Sequence, residues 1–317
     1  MKLFIKQLKD VGIKDVGEVG GKNASLGEMI QNLTPKGVKI PGGFIVTASA
    51  YRYFLEETGL KNFIRKTLNG LNTKNLKDLS RRGKLIRETI KKAEFSEDLR
   101  SAIVKAYLEM EKEYGKNVDV AARSSATAED LPGASFAGEH ETYLNIRGAD
   151  EVLKAVKSAM ASLFTDRAIS YRVDKKFDHF KVALSVGVQK MIRSDLSCSG
   201  VMFTLDTESG FRDIVIINSI FGVGEMIVKG KITPDQFTIF KPTLGQGYKS
   251  IIAQDLGKKD IKLAYSKKGG TVKVNIDKEK QNQFCLTKKE VLQLADWCLK
   301  IEKHFSKKHG RYQAMDI

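Results

Sequence analysis

The chain has 317 residues, 42% of them hydrophobic, which is enough to bury a substantial core in one large domain or in two lobes. No apolar run approaches the roughly 20 residues of a membrane-spanning helix, and the opening MKLFIKQLKD interleaves charges with apolar side chains, unlike a signal peptide. The net charge of +16 comes from scattered lysines such as Lys74, Lys77, Lys175, Lys176, Lys258 and Lys259. Without aromatic-basic or zinc-finger spacing, these read as a solvated lysine-rich surface and not as a nucleic-acid-binding face. The three cysteines, Cys198, Cys285 and Cys298, contain no CxxC and read as free thiols of a cytoplasmic protein.

In chain order, the first element is a helix ending near Leu33. Leu26, Met29, Ile30 and Leu33 share one face, Asn23 is the expected N-cap, and Pro35 and Gly37 end it. Gly20-Gly21-Lys22 then falls at the helix N-terminus, where backbone N–H groups and the dipole favour an anion; an ordinary surface lysine before a helix is the competing reading. Residues 40–47, IPGGFIVT, turn into a short strand, and Thr47 caps a helix whose apolar face is Tyr51, Phe54 and Leu55. Residues 60–115 are predicted to be helical, with Ser96 capping the helix of Leu99, Ile103, Tyr107 and Met110.

The stretch from Val118 to Ile146 carries the most chemistry. Val118, Val120 and Ala122 alternate as a buried strand and deliver Arg123 onto Ser124, Ser125, Ala126 and Thr127. Glu129 and Asp130 precede a Leu131-Pro132-Gly133 turn and a small-residue loop to Gly138, and Tyr143, Leu144 and Ile146 resume a strand. An arginine fork beside a loop of small residues is what a polyphosphate site requires; a surface hairpin with a solvated arginine has the same composition.

Asp150 is the expected cap of a helix through Leu163, followed by a second helix over Thr165–Val173. Val182 to Ile192 reads as an apolar strand, and His179 as a structural residue. Val201/Phe203, Ile214/Ile216 and Phe237/Ile239 alternate as strands of one sheet, with Gly222-Val223-Gly224-Glu225 as a turn among them. Glu225 is either a ribose or metal-water acceptor or a solvent-facing carboxylate. Residues 245–277 read as hairpins over 248–252, 261–265 and 271–276, Thr287 to Phe305 as a long helix, and the tail to Asp316 and Ile317 as a further strand.

The string RSSATAEDLP followed by ASFAG, with GGKNASLGEM about a hundred residues earlier, closely resembles the nucleotide-binding part of the phosphoenolpyruvate synthase and pyruvate phosphate dikinase family. The resemblance covers essentially the whole chain. It implies an α+β fold of ATP-grasp type, with lobes of about residues 1–185 and 186–317 clamping ATP. It makes Lys22 and Arg123 the phosphate-binding cations, Gly138 and Thr142 further loop contacts, and Gln189, Lys190, Met191 and Ile192 a hinge for adenine. Glu225 resembles the family's GLGE turn, and Thr233-Pro234-Asp235-Gln236 also fits the family without a clear role. Asp316 begins the family's MDIEW-type motif, which binds magnesium; its glutamate and a later Gln-x-Arg would follow Ile317. The implied reaction is ATP + pyruvate + water to AMP + phosphoenolpyruvate + phosphate, through a phosphohistidine on a separate domain. Neither that domain nor a pyruvate-binding barrel is expected within these residues. Competing readings are a rifamycin phosphotransferase-type domain and a non-catalytic ATP-binding module.

Overall fold

The computed structural model describes residues 4–127, 141–266 and 269–317. Gly138 and the loop around it lie outside the described residues. The chain divides into two compact units, Met1–Met191 and Ile192–Ile317. The division follows the strand that contains residue 185 instead of cutting through it.

The first unit contains strands β1 (Ile5–Gln7), β2 (Gly43–Val46), β3 (Val120–Ala126), β4 (Thr142–Ile146) and β5 (Leu184–Lys190), in the order β1-β2-β5-β3-β4, with every pair antiparallel. Its helices are α1 (Val16–Val19), α2 (Gly21–Leu33), α3 (Ala48–Glu57), α4 (Leu60–Leu68), α5 (Leu76–Lys92), α6 (Glu97–Tyr114), α7 (Ala149–Ala161) and α8 (Asp166–Asp174).

Successive strand side chains point to opposite faces, and the two faces of this sheet are covered differently. Phe44, Val46, Val120, Ala122, Val186 and Val188 join one core with Tyr51, Phe54, Ile86, Ile103, Tyr107 and Met160 from the helices. On the other face Ile45 packs with Leu8, Val11, Val19 and Ala24. That second face is where α2 lies.

Two caps differ from the sequence expectation. Asn23 is not the N-cap of α2: Gly20 holds that place at φ +75°, and Asn23 is buried inside the first turn. Its amide instead donates to Val19 O and Ser185 Oγ, both at 3.0 Å, so the side chain bridges to β5. Asp150 likewise falls in the first turn of α7, whose N-cap is Gly148.

The second unit holds an antiparallel sheet of β6 (Cys198–Phe203), β7 (Ile214–Phe221), β8 (Asp235–Phe240) and β9 (Ile251–Asp255), plus the hairpin β10 (Ile261–Tyr265) and β11 (Thr271–Asn275). The first expected hairpin strand thus lies three residues later and pairs with β8. Short helices α9 (Glu225–Val228), α10 (Lys241–Leu244) and α11 (Lys278–Gln281) precede the long α12 (Lys288–His309). Thr287 and Glu290 form a reciprocal capping box at the start of α12. Val291, Ala295 and Cys298 of α12 pack on Val215, Ile217, Phe237 and Ile239. The expected tail strand is a short bridge: Asp316 pairs with Phe203, and Met202 and Ile317 exchange backbone hydrogen bonds of 2.9 Å.

One group of charges departs from the expected solvated surface. Lys259 is fully buried and ion-paired with Asp235, whose carboxylate also accepts from the amides of Gly257 and Cys285 at 2.9 Å. The Thr233-Pro234-Asp235 turn therefore has a structural role: its aspartate ties β8, the segment after β9 and the approach to α12 together.

Candidate functional site

Strand register brings the candidate phosphate-binding residues to one place. Arg123 of β3 stands opposite Gly187 of β5 on one side and opposite Thr142 of β4 on the other. Ser125 pairs with Ser185, and Ala121 with Gln189, so these residues share the α2 face of the sheet. Lys22, in the first turn of α2, joins Arg123 and Gln189 around one small depression, with Leu8, Leu26 and Gly187 beneath it. Lys22 and Arg123 are both exposed.

Two glycines make this approach possible. A Cβ on Gly20 would lie 2.3 Å from Ser125 Oγ, and its positive φ is one that L side chains rarely adopt. A Cβ on Gly187 would lie 2.3 Å from Asn23 Oδ1. The helix start can therefore sit directly on β3 and β5, held by the Asn23–Ser185 hydrogen bond. Sequence reasoning missed Asn23 and Gly20 as positioning residues; the signal was the unusual run of two glycines and an amide around one lysine.

Electrostatically, two cations flank the positive end of a 13-residue helix. Such a corner attracts anions with several oxygens, and the planar guanidinium can engage two of them at once.

The end of β5 is more committed than the sequence suggested. Gln189 is buried and its Nε2 donates to Pro41 O at 2.8 Å. The amides of Lys190 and Met191 donate to Gly42 O and Asp119 O at 3.0 and 2.9 Å. The Lys190 ammonium sits 5.2 Å from the Tyr114 ring centroid. Met191 is buried, whereas Ile192 is 60% exposed. The expected amide donors of a hinge are thus engaged within the sheet at these two positions.

In the second unit, Glu225 opens α9 and pairs with Lys229 at 2.5 Å. It borders a cavity of about 230 Å³ with Lys229, Lys231 and Lys273. Asp316 is exposed, yet burial of its carboxyl raises its pKa above the ordinary carboxylate value. Among the described residues no group of three or more His, Cys, Asp or Glu side chains is placed to hold a metal. No helix among them is long and apolar enough to cross a membrane.

His179 is held in the first unit by Arg172, whose Nε donates to His179 Nδ1 at 2.9 Å. Burial and the Arg172 charge bring this imidazole down to about 4, so it is neutral at physiological pH.

Residues 16–317 match the AMP/ATP-binding domain of pyruvate phosphate dikinase, and the chain belongs to that family. Within it, the chain is 57% identical over 318 residues to the phosphoenolpyruvate synthase of Aquifex aeolicus, covering 100% of this chain and 37% of that protein. It is 50% identical over 321 residues to the phosphoenolpyruvate synthase of a Synechocystis species, covering 99% of this chain and 39% of the relative. The corresponding figure for the Escherichia coli phosphoenolpyruvate synthase is 47% over 301 residues, covering 94% of this chain and 38% of the relative. The chain therefore spans less than two-fifths of the length of these relatives.

Proposed function

We propose that the chain binds Mg-ATP through an ATP-grasp-type fold and performs the nucleotide half of a phosphoenolpyruvate synthase reaction. In the whole reaction, ATP, pyruvate and water give AMP, phosphoenolpyruvate and phosphate, with a phosphohistidine on a separate domain carrying the phosphoryl group. The observation that carries this reading is the convergence of Lys22 and Arg123 at the N-terminus of α2 on one sheet face. The resemblance to phosphoenolpyruvate synthases of several organisms supports it.

Phosphoryl transfer depends mainly on positioning and charge neutralisation. Lys22 contributes a point charge and Arg123 a two-pronged donor to the phosphate oxygens, with Thr142 beside Arg123 and Gly138 as further contacts. At the end of β5, where the amides are engaged, a backbone carbonyl is the group that would accept from the amino group of adenine, with Met191 and Ile192 as apolar neighbours. Guanine carries a carbonyl in place of that amino group and is disfavoured. Glu225 is the ribose acceptor, in competition with its Lys229 pair. Asp316 suits part of a magnesium site: a nearby cation would favour the ionised form that burial disfavours, and magnesium commonly takes one or two carboxylates with phosphate oxygens and waters. When bound, the ion neutralises phosphate charge. The chain acts in the cytoplasm on these small molecules, without nucleic acid.

Calorimetric titration with ATP and GTP in magnesium buffer tests the proposal. Binding of ATP in clear preference to GTP is expected; equal binding or none would refute it.

A further inference from the structure

Asp316 sits on a single bridge to Phe203 and not in a full strand, so its place depends on what holds the residues beside it. On one side, Ile317 and Met202 exchange both of their backbone hydrogen bonds, as a regular antiparallel pair does. The side chain of Ile317 packs on the core beneath α12. Neighbouring side chains on a strand point to opposite faces, so Asp316 faces away from that core, and it is exposed.

On the other side the ladder is irregular, and the irregularity is one residue's doing. Thr204 follows β6 and is fully buried. Its amide donates to Met315 O at 3.0 Å, which is one of the two bonds expected of a regular pair. The second, from the Met315 amide to Thr204 O, is not made. That carbonyl accepts instead from Lys241 Nζ at 2.5 Å and from the Tyr312 hydroxyl at 3.1 Å. Lys241 is in turn held by both carboxylate oxygens of Glu302, at 2.6 and 2.8 Å. The Met315 amide donates to the hydroxyl of Thr204, Oγ1, at 2.8 Å. A side-chain oxygen thus replaces a ladder carbonyl at the residue immediately before Asp316. Valine has the same shape and could not do this; serine could.

We propose that Thr204 is a positioning residue for the magnesium site, setting the place of the Asp316 carboxylate through the backbone of Met315. This rests on Asp316 being a magnesium ligand, as proposed above. Magnesium demands near-ideal octahedral geometry, and a ligand group must be held to within about 0.5 Å to satisfy it. With Thr204 in place, both neighbours of Asp316 are fixed through their backbones and the carboxylate is left free for the ion.

The test compares the unsubstituted chain with Thr204→Val, Thr204→Ser and Asp316→Asn. Calorimetry measures ATP affinity in magnesium buffer and in EDTA, and amide hydrogen exchange reports on Met315. Thr204→Val is expected to speed exchange at Met315 and to cut the magnesium-dependent gain in ATP affinity by about three- to ten-fold, the worth of one hydrogen bond. Its ATP affinity in EDTA should not change, and Thr204→Ser should restore both readouts. Asp316→Asn should lose the gain while exchange at Met315 stays slow. If near-ultraviolet circular dichroism shows Thr204→Val unfolded, Thr204→Cys, with a weaker acceptor, takes its place in the same comparison. A full magnesium gain with the Met315 amide released, an equal loss of ATP affinity with and without magnesium, or unaltered exchange in a folded Thr204→Val would overturn the proposal. A full gain in Asp316→Asn, or none in the unsubstituted chain, would instead remove Asp316 from the metal site and take the proposal with it; faster Met315 exchange in Thr204→Val would mark that outcome apart from a failure of the Thr204 contact.

Discussion

Lys22 and Lys259 put the same side chain to opposite uses in the two units. Lys259 is sealed with no exposure against Asp235, and its charge is matched within the protein. Lys22 is exposed next to Arg123, on a helix start pressed against the sheet by Gly20 and Asn23. A buried pair that loses one partner is strongly destabilising, so that charge serves the fold. A cation held at the surface of a rigid scaffold contributes little to stability and can instead meet a ligand anion. The difference separates scaffold charge from site charge within one very basic chain.

Breaking the sealed pair should give the largest effect. Asp235→Ala leaves a buried ammonium without its partner and is expected to cost about 3–5 kcal/mol, read by urea unfolding followed through Trp297, the single tryptophan. Asp235→Leu combined with Lys259→Met should recover part of the loss. A double variant as unstable as the single one would mean that the backbone contacts of Asp235 matter more than its charge.

Gly20→Ala links the scaffold to the site. The positive φ and the contact with Ser125 predict a cost of roughly 1–3 kcal/mol together with weaker ATP binding, because the start of α2 must shift. Unchanged ATP affinity in a folded Gly20→Ala protein would detach Lys22 from the nucleotide.

Lys22→Ala and Arg123→Ala should behave in the reverse way to Asp235→Ala. Each loses a charged hydrogen-bonding partner worth roughly 1.5–3 kcal/mol, or about ten- to a hundred-fold in ATP affinity, with unfolding free energy changed by no more than about 0.5 kcal/mol. The exposed Lys176→Ala serves as control and should leave both unchanged. Equal effects from all three would assign binding to the general basic surface.

The smallest effect expected is a pH dependence in the first unit. The pKa of His179 is depressed to about 4 in the folded chain and returns to about 6.5 on unfolding, so the unfolded state binds the proton more tightly. Its contribution is complete above about pH 6.5 and is lost as pH falls towards 4, by an amount that solvent screening of this partly exposed ring cuts from about 3 to on the order of 1–2 kcal/mol. His179→Gln should flatten that slope in acid unfolding curves; an unaltered slope would assign it to other groups.

The sequence made the strands and helices legible where apolar periodicity was strong, as in Val186 and Val188 of β5 or Val291, Ala295 and Cys298 of α12. It also pointed to Lys22 and Arg123, because long motifs surround them. It could not reveal that Arg123 faces Gly187 or that Asn23 bridges to Ser185, since those pairings depend on register between distant segments. The role of Asp235 was hidden for the same reason: its partners Gly257, Lys259 and Cys285 lie 22 to 50 residues away. Caps misled at Asn23 and Asp150 because a glycine took each N-cap position and the polar side chain was used elsewhere.

The most direct test of the central claim is calorimetric titration of the unsubstituted chain and of Lys22→Ala/Arg123→Ala with ATP and with AMP, in magnesium buffer. If these cations hold the outer phosphates, the double variant should lose at least a hundred-fold in ATP affinity, taking about 1.5 kcal/mol or more from each residue, while AMP affinity changes little. Equal losses for ATP and AMP, or undiminished ATP binding by a folded double variant, would contradict the assignment of this corner to the polyphosphate.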